Sequence, residues 1–322
     1  MAITSPVSQQ VAQRSSAGGG SIPISGTTNS TATIEARFNG GAWATIATGV
    51  SGAWSGTLTG QTPGQGVLEV RRIDTLYTVT IPYVGLGDIF IVAGQSNASG
   101  RGTSAQVYSG TPRATLFGND YLWKELRDAT DSGVGQVDLV SDDSAFAPNG
   151  SAWPLLATSF LASQSVPCAF VPCAMGGLGI VSWLPGANHQ DRTTLYGSMA
   201  YRALQAGAKA VLWWQGETDA VASMSQATYN GHLDTIANAL MTDLGIKLMP
   251  CKLQTFTAAT QPQQDAINAA ITEAWGDNAN VLTGPDLTGL AADDTFHLKT
   301  DGKLASAAAL WWTALQAAFG YA

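Results

Sequence analysis

The sequence predicts an α/β protein: a three-layer α/β/α sandwich on a mostly parallel five-stranded sheet, preceded by a small antiparallel β domain. Three observations predict it. From Gly87 onward, apolar strand-like runs alternate with amphipathic helical patterns, and such alternation requires crossovers that build a mainly parallel sheet. Those runs are apolar almost throughout, as strands are when helices cover both faces. Ahead of Gly87, short runs alternate polar and apolar residues between turn residues, which is the pattern of antiparallel strands.

Taken in order, residues 1–30 are rich in Ser, Gly, Thr and Gln. Such a stretch buries little apolar surface against its ordering entropy and is expected to be a flexible arm. Residues 31–86 hold Ala32–Phe38 and Val67–Arg71 as alternating runs, broken by Gly40-Gly41 and Pro63-Gly64, and are expected to form a small β-sandwich-like module. Residues 87–322 make the third unit, with strands expected at Asp88–Ala93, Cys168–Ala174, Ala210–Trp214, Lys247–Phe256 and Val281–Thr283. Helices are expected over Ser225–Leu244, stopped by Gly245; over Pro262–Trp275, ending at Gly276; and over Asp301–Phe319, where Leu304, Ala308, Trp311 and Leu315 share a stripe.

Composition removes several function classes. Hydrophobic residues make up 45% of the chain and charged residues 12%, and no apolar run approaches the roughly 20 residues of a membrane-spanning helix. With 15 Lys+Arg against 23 Asp+Glu, the net charge of −8 offers no cationic surface for nucleic acid or an anionic membrane. Cys168, Cys173 and Cys251 lie in apolar surroundings and are expected to be buried free thiols. Met1–Pro6 has neither a basic nor an apolar signal region, so the expectation is a virion-associated or cytoplasmic protein, or a secreted one whose leader lies outside this sequence. No pattern fixes the oligomeric state.

In a parallel α/β sheet the ligand site lies beyond the carboxyl ends of the strands, and three polar motifs fall there or just before a helix. Gly94-Gln95-Ser96-Asn97 follows the first strand; a serine on a tight strand-to-helix turn exposes its hydroxyl near free backbone N–H groups, although it could equally be a capping serine. Trp213-Trp214-Gln215-Gly216-Glu217-Thr218-Asp219 ends another strand, where Gln215 can donate to an oxyanion, or Glu217 and Asp219 can simply cap a helix. Asp293-Asp294-Thr295-Phe296-His297 precedes the last helix. An aspartate three residues before a histidine can hold its Nδ1 and leave Nε2 as a base. His189 and His232 have no such setting.

Together with Gly176-Gly177, Ile180 and Trp183, these blocks resemble the ordered motifs of SGNH hydrolases, with their flavodoxin-like fold, and more narrowly the sialate O-acetylesterase and acetyl xylan esterase branch. The resemblance spans about residues 86–320. It implies Ser96 as nucleophile and His297 as base, and an oxyanion hole from Ser96, Gly177 and Gln215. Either Asp294 or Glu217 would orient the histidine, with Asp294 preferred; Asp293 is read as a surface charge. Gln95 and Asn97 are taken as substrate contacts; Trp183 and Trp214 are either a wall for a sugar ring or, as tryptophans beside strands more often are, core residues. Leu178-Gly179 departs from the Ser or Thr usual after the paired glycines.

The implied activity is deacetylation of a carbohydrate by two-step acyl transfer. No metal or cofactor is expected, since the chain carries no Cys/His cluster at zinc spacing and no phosphate-cradling Gly-Lys-Ser/Thr loop. The Gly/Ser-rich arm is similar to the leading segment of some phage tail proteins, which would place the enzyme on a virion against host or bacterial surface polysaccharide. A competing reading keeps the fold without turnover, as a carbohydrate-binding or phage tail structural protein.

Overall fold

The computed structural model describes residues 1–75, 77–141 and 149–322. It is a mixed α/β fold built on one eleven-stranded mixed sheet. The strand that unifies it is β6 (Thr78–Gly94), whose burial alternates at first and is complete from Val84 onward. Its first half pairs antiparallel with β5 (Gly64–Arg72), and its second half pairs parallel on both sides. The expected boundary near residue 86 therefore falls inside a single strand, β6, which the antiparallel and the parallel strands share.

On the antiparallel side, β3 (Gly20–Phe38) pairs with β5 and with β4 (Ala44–Gln61). Residues 1–30 are not a flexible arm. They hold β1 (Ala2–Ser5) on β3, β2 (Val11–Gln13) alongside β6, and the first half of β3. The alternation of Ile22 and Ile24, both buried, outweighs the polar composition, because one apolar face per strand suffices when the strand lies on a core. Those two residues join Ile34, Trp54, Leu58, Leu68, Val70 and Val84 in a hydrophobic cluster distinct from that of the helical region.

On the parallel side the order is β11–β10–β6–β9–β7, with β8 antiparallel at the end. Here β7 is Thr115–Phe117, β8 is Trp123–Glu125, β9 is Cys168–Ala174, β10 is Ala210–Trp214 and β11 is Lys247–Pro250. Two expectations are corrected. The strand expected over Lys247–Phe256 stops at Pro250; beyond it Lys252 and Thr255 make only isolated bridges, to Asp286 and Ala291. Val281–Thr283 contributes only an isolated bridge, Val281 to Leu248.

The helices fall into two packing sets. α2 (Trp153–Gln164) packs on α7 (Asp301–Phe319), with Phe90 of β6 against Phe160 and Phe319. α3 (Leu195–Ala206) packs on α5 (Gln226–Leu244), and α5 on α6 (Gln261–Asp277). Ser225 caps α5 and Gly245 ends it in the left-handed region. α6 starts on a Thr260/Gln263 capping box and runs past Gly276 to Asp277, with Asn278 as its extended C-cap. Among the described residues no helix is long and apolar enough to cross a membrane. The three cysteines are buried and unpaired.

Candidate active site

Strand register brings two of the three motifs together. Gly94, the last residue of β6, lies beside Trp214 at the end of β10 and beside Ala174 at the end of β9. The Gln95 N–H donates to the Trp214 carbonyl at 3.0 Å, and the Met175 N–H to the Gly94 carbonyl at 2.9 Å. Gly94 has φ +131°, and a Cβ there would stand 2.0 Å from the Trp214 oxygen, so the turn admits only glycine. After it the chain enters α1 (Ser96–Ser99), a single turn whose first N–H groups have no intrahelical acceptor.

The third motif arrives from the other end of the chain. Ser96 Oγ lies 2.9 Å from His297 Nε2, and His297 Nδ1 lies 3.1 Å from Asp294 Oδ2. Asp294 is built for this position: its Oδ1 accepts the N–H groups of Phe296 and His297 at 2.8 and 2.7 Å, closing a tight turn that leaves Oδ2 for the ring. Burial opposes its ionisation, yet those N–H bonds and the imidazole hold its carboxyl well below the usual carboxylate range. Burial lowers the His297 pKa from 6.5 and outweighs the raising effect of Asp294, with Arg101 and Lys299 lowering it further. The ring is therefore neutral and able to accept a proton at neutral pH. Asp293, expected as a surface charge, accepts the N–H groups of Lys299 and Thr300 and pairs with Lys303.

Glu217 does not stand at the imidazole. It is fully buried on α4 (Glu217–Val221), where its Oε1 accepts from Asn97 Nδ2 at 2.7 Å and Gln254 Nε2 at 3.1 Å. Burial pushes its pKa up. Asn97, expected to meet substrate, is buried because its side chain is committed to Glu217, the Phe296 carbonyl and the Leu298 N–H.

Gln215 is also placed differently from the expectation. Its amide nitrogen donates to Asp219, to the Leu178 carbonyl and to Gln95 Oε1, and its oxygen accepts from Tyr229. It has no exposed surface, so its donors are spent inside the protein. Trp183 and Trp214 are core residues: both are fully buried, Trp183 edge-on to Trp213 at 5.2 Å, and Trp214 Nε1 donating to Gln254. Neither is a wall for a sugar.

A cavity of about 350 Å³ opens over Ser96 and His297, lined also by Gln95, Arg101, Gly176, Gly177, Thr218 and Phe296. Gly177 has φ +73° and nothing near its missing Cβ, so its backbone faces open space. Arg101, Thr218 and Phe296 carried no assigned role in the sequence, although Thr218 and Phe296 lie inside the second and third motifs and Arg101 follows the first by four residues. Gln254 carried no motif at all. Among the described residues no group of three or more His, Cys, Asp or Glu is placed to hold a metal ion.

A serine, a histidine and a carboxylate lie in hydrogen-bonded sequence beside an open cavity, an arrangement compatible with the class of hydrolases. The comparisons agree with that class. The sequence model of the carbohydrate esterase, sialic acid-specific acetylesterase family matches residues 86–315, and the chain belongs to that family; it is an esterase. A probable carbohydrate esterase of Arabidopsis thaliana is 26% identical over 234 residues, 67% of this chain and 85% of the relative. Among solved structures, a carbohydrate acetylesterase from Xanthomonas citri has a TM-score of 0.68 at 18% identity, over 98% of this chain and 74% of that one. An Arabidopsis thaliana protein has a TM-score of 0.54 at 21% identity, over 72% of this chain and 98% of that one. At these identities the two structures establish a shared fold.

Proposed function

We propose that this esterase is a carbohydrate O-acetylesterase working by acyl transfer through Ser96. The observation that carries the reading is the unbroken relay Ser96 Oγ to His297 Nε2 to Asp294 Oδ2, at 2.9 and 3.1 Å. Ser96 attacks the ester carbonyl as His297 takes its proton, and the imidazolium formed is stabilised by Asp294. His297 then returns the proton to the departing sugar hydroxyl, activates water, and acetate leaves. Backbone N–H groups of Ser96 and Gly177 are the natural oxyanion donors. Gln95 joins them in place of Gln215: its Oε1 accepts from the Thr218 N–H and Gln215 Nε2, so the amide is oriented with its NH2 group available to the cavity.

The substrate class follows from the family and from the names of two relatives, a probable carbohydrate esterase and a carbohydrate acetylesterase. Virion association has lost its support in the chain, since the arm on which it stood is part of the sheet. The test is acetate release from a panel of acetylated glycans, measured by mass spectrometry, together with chromogenic acetyl and octanoyl esters. Acetate release abolished by Ser96→Ala, with acetyl faster than octanoyl, is the expected result. A wild-type protein that binds glycans and releases nothing would establish the non-catalytic reading, and faster octanoyl hydrolysis would move the substrate to lipids.

A further inference from the structure

His297 lies outside regular secondary structure, between the isolated bridge at Ala291 and α7. A catalytic imidazole must be held within about half an ångström of its working position, so its backbone needs an anchor. That anchor is visible in the peptide groups on either side of it. The Phe296 carbonyl accepts from Gln254 Nε2 at 2.9 Å and from Asn97 Nδ2 at 3.2 Å, and the Leu298 N–H donates to Asn97 Oδ1 at 3.1 Å. The second N–H of each amide goes to the same atom, Glu217 Oε1, while Gln254 Oε1 accepts from Trp214 Nε1 at 3.1 Å. Gln254 and Glu217 have no exposed surface, and Asn97 is 3% exposed. Both amides thus face acceptors with their NH2 groups and donors with their oxygens, which fixes their orientation.

We infer that Gln254, clamped by Glu217, is a positioning residue that holds the His297 peptide backbone in register with Ser96. This rests on the proposed Ser96–His297 chemistry. Gln254 makes no bond to the imidazole and does not itself line the cavity; it acts through the carbonyl of Phe296, which does. Glu217 serves as a shared acceptor: its Oε2 has no partner among the described residues, so the clamp needs one oxygen and no negative charge. That separates it from Asp294, whose charge faces the ring.

The experiment compares Gln254→Met, which keeps length and loses both donors, with Glu217→Gln, which keeps an acceptor for the two amides. Rates on a chromogenic acetyl ester are expressed per active site, counted by titration with a fluorophosphonate, so that unfolded protein does not enter. Gln254→Met is expected to lose roughly 10- to 100-fold in kcat with KM within about twofold, the scale of a misplacement near 1 Å. Its acid limb should rise toward the ordinary histidine value as the ring gains water, against a background of Asp294, Arg101 and Lys299 that the substitution leaves in place. Glu217→Gln is the conservative rescue and should retain most of kcat.

If Gln254→Met keeps the wild-type kcat and pH limb per titrated site, the clamp is only structural and the inference fails. If Glu217→Gln loses as much as Gln254→Met, the charge matters and the acceptor argument fails. A wild-type protein that hydrolyses no ester would defeat the proposed function itself, a result distinct from both.

Discussion

Replacing Asp294 with Asn asks how much of the rate depends on its negative charge. The loop should survive, because an asparagine oxygen can still accept the Phe296 and His297 N–H groups that Oδ1 now holds at 2.8 and 2.7 Å. What changes is the group facing Nδ1: an NH2 there favours the tautomer with the proton on Nε2, the nitrogen 2.9 Å from Ser96 Oγ, and the base becomes a donor. The imidazolium formed during attack also loses a charge 3.1 Å away. Coulomb's law gives about 5 kcal/mol at that separation for an effective dielectric near 20 and about 1.3 kcal/mol for water. The Asp294 side chain is 36% exposed, so screening places the loss between these limits, at about 2–4 kcal/mol. That corresponds to roughly 30- to 1000-fold in kcat. The assay is steady-state hydrolysis of an acetyl ester, with circular dichroism to check the fold. A loss under about threefold would refute the role of Asp294 as the orienting charge.

Two further outcomes follow from the same geometry. Burial holds the His297 pKa below 6.5; since the neutral ring is the active form, kcat/KM should remain on its plateau down to a pH below 6.5 and fall only beneath that. Asp294→Asn removes a raising influence and should shift the limb lower still, and a limb above 6.5 in the wild type would contradict the burial argument. Where β6 begins its pairing with β9, Asp88 is fully buried against Arg14, Lys209 and Tyr321. Asp88→Ala leaves those cations unpaired and should destabilise the fold by about 3–5 kcal/mol in urea titration. Roughly 20 Å of strand separates it from Gly94, so kcat per folded molecule should be unchanged; a matched loss of kcat would mean that this ion cluster and the site are coupled along the strand.

The legible parts of the site were those written as local motifs at strand ends. Ser96, His297 and Asp294 each sit in a short segment whose chemistry and position relative to a strand or helix suggest their roles before any distance is known. Gln215 was legible as a residue type but not as an orientation, because the groups that capture its amide, Tyr229 on α5 and the Leu178 carbonyl, come from other segments. Gln254 could not be singled out at all: it follows a four-residue strand in a stretch with no motif, and only tertiary structure carries it to Phe296. The fold shows the same division. Long apolar or amphipathic segments such as β9, β10, α5 and α7 announce themselves, whereas β7 has three residues, too few for a period. In β1 and β2 polar composition conceals strands that gain their stability from neighbours, β2 from lying along β6 beside the buried Arg14–Asp88 pair.

The most direct test of acyl transfer through Ser96 is mass spectrometry of the protein quenched in acid during turnover of an acetyl ester. The mechanism predicts one acetyl group, carried on the peptide containing Ser96, present in the wild type and missing in Ser96→Ala. Turnover with no acylated peptide in either protein and undiminished activity of Ser96→Ala, or an acetyl group mapped to another residue, would contradict it.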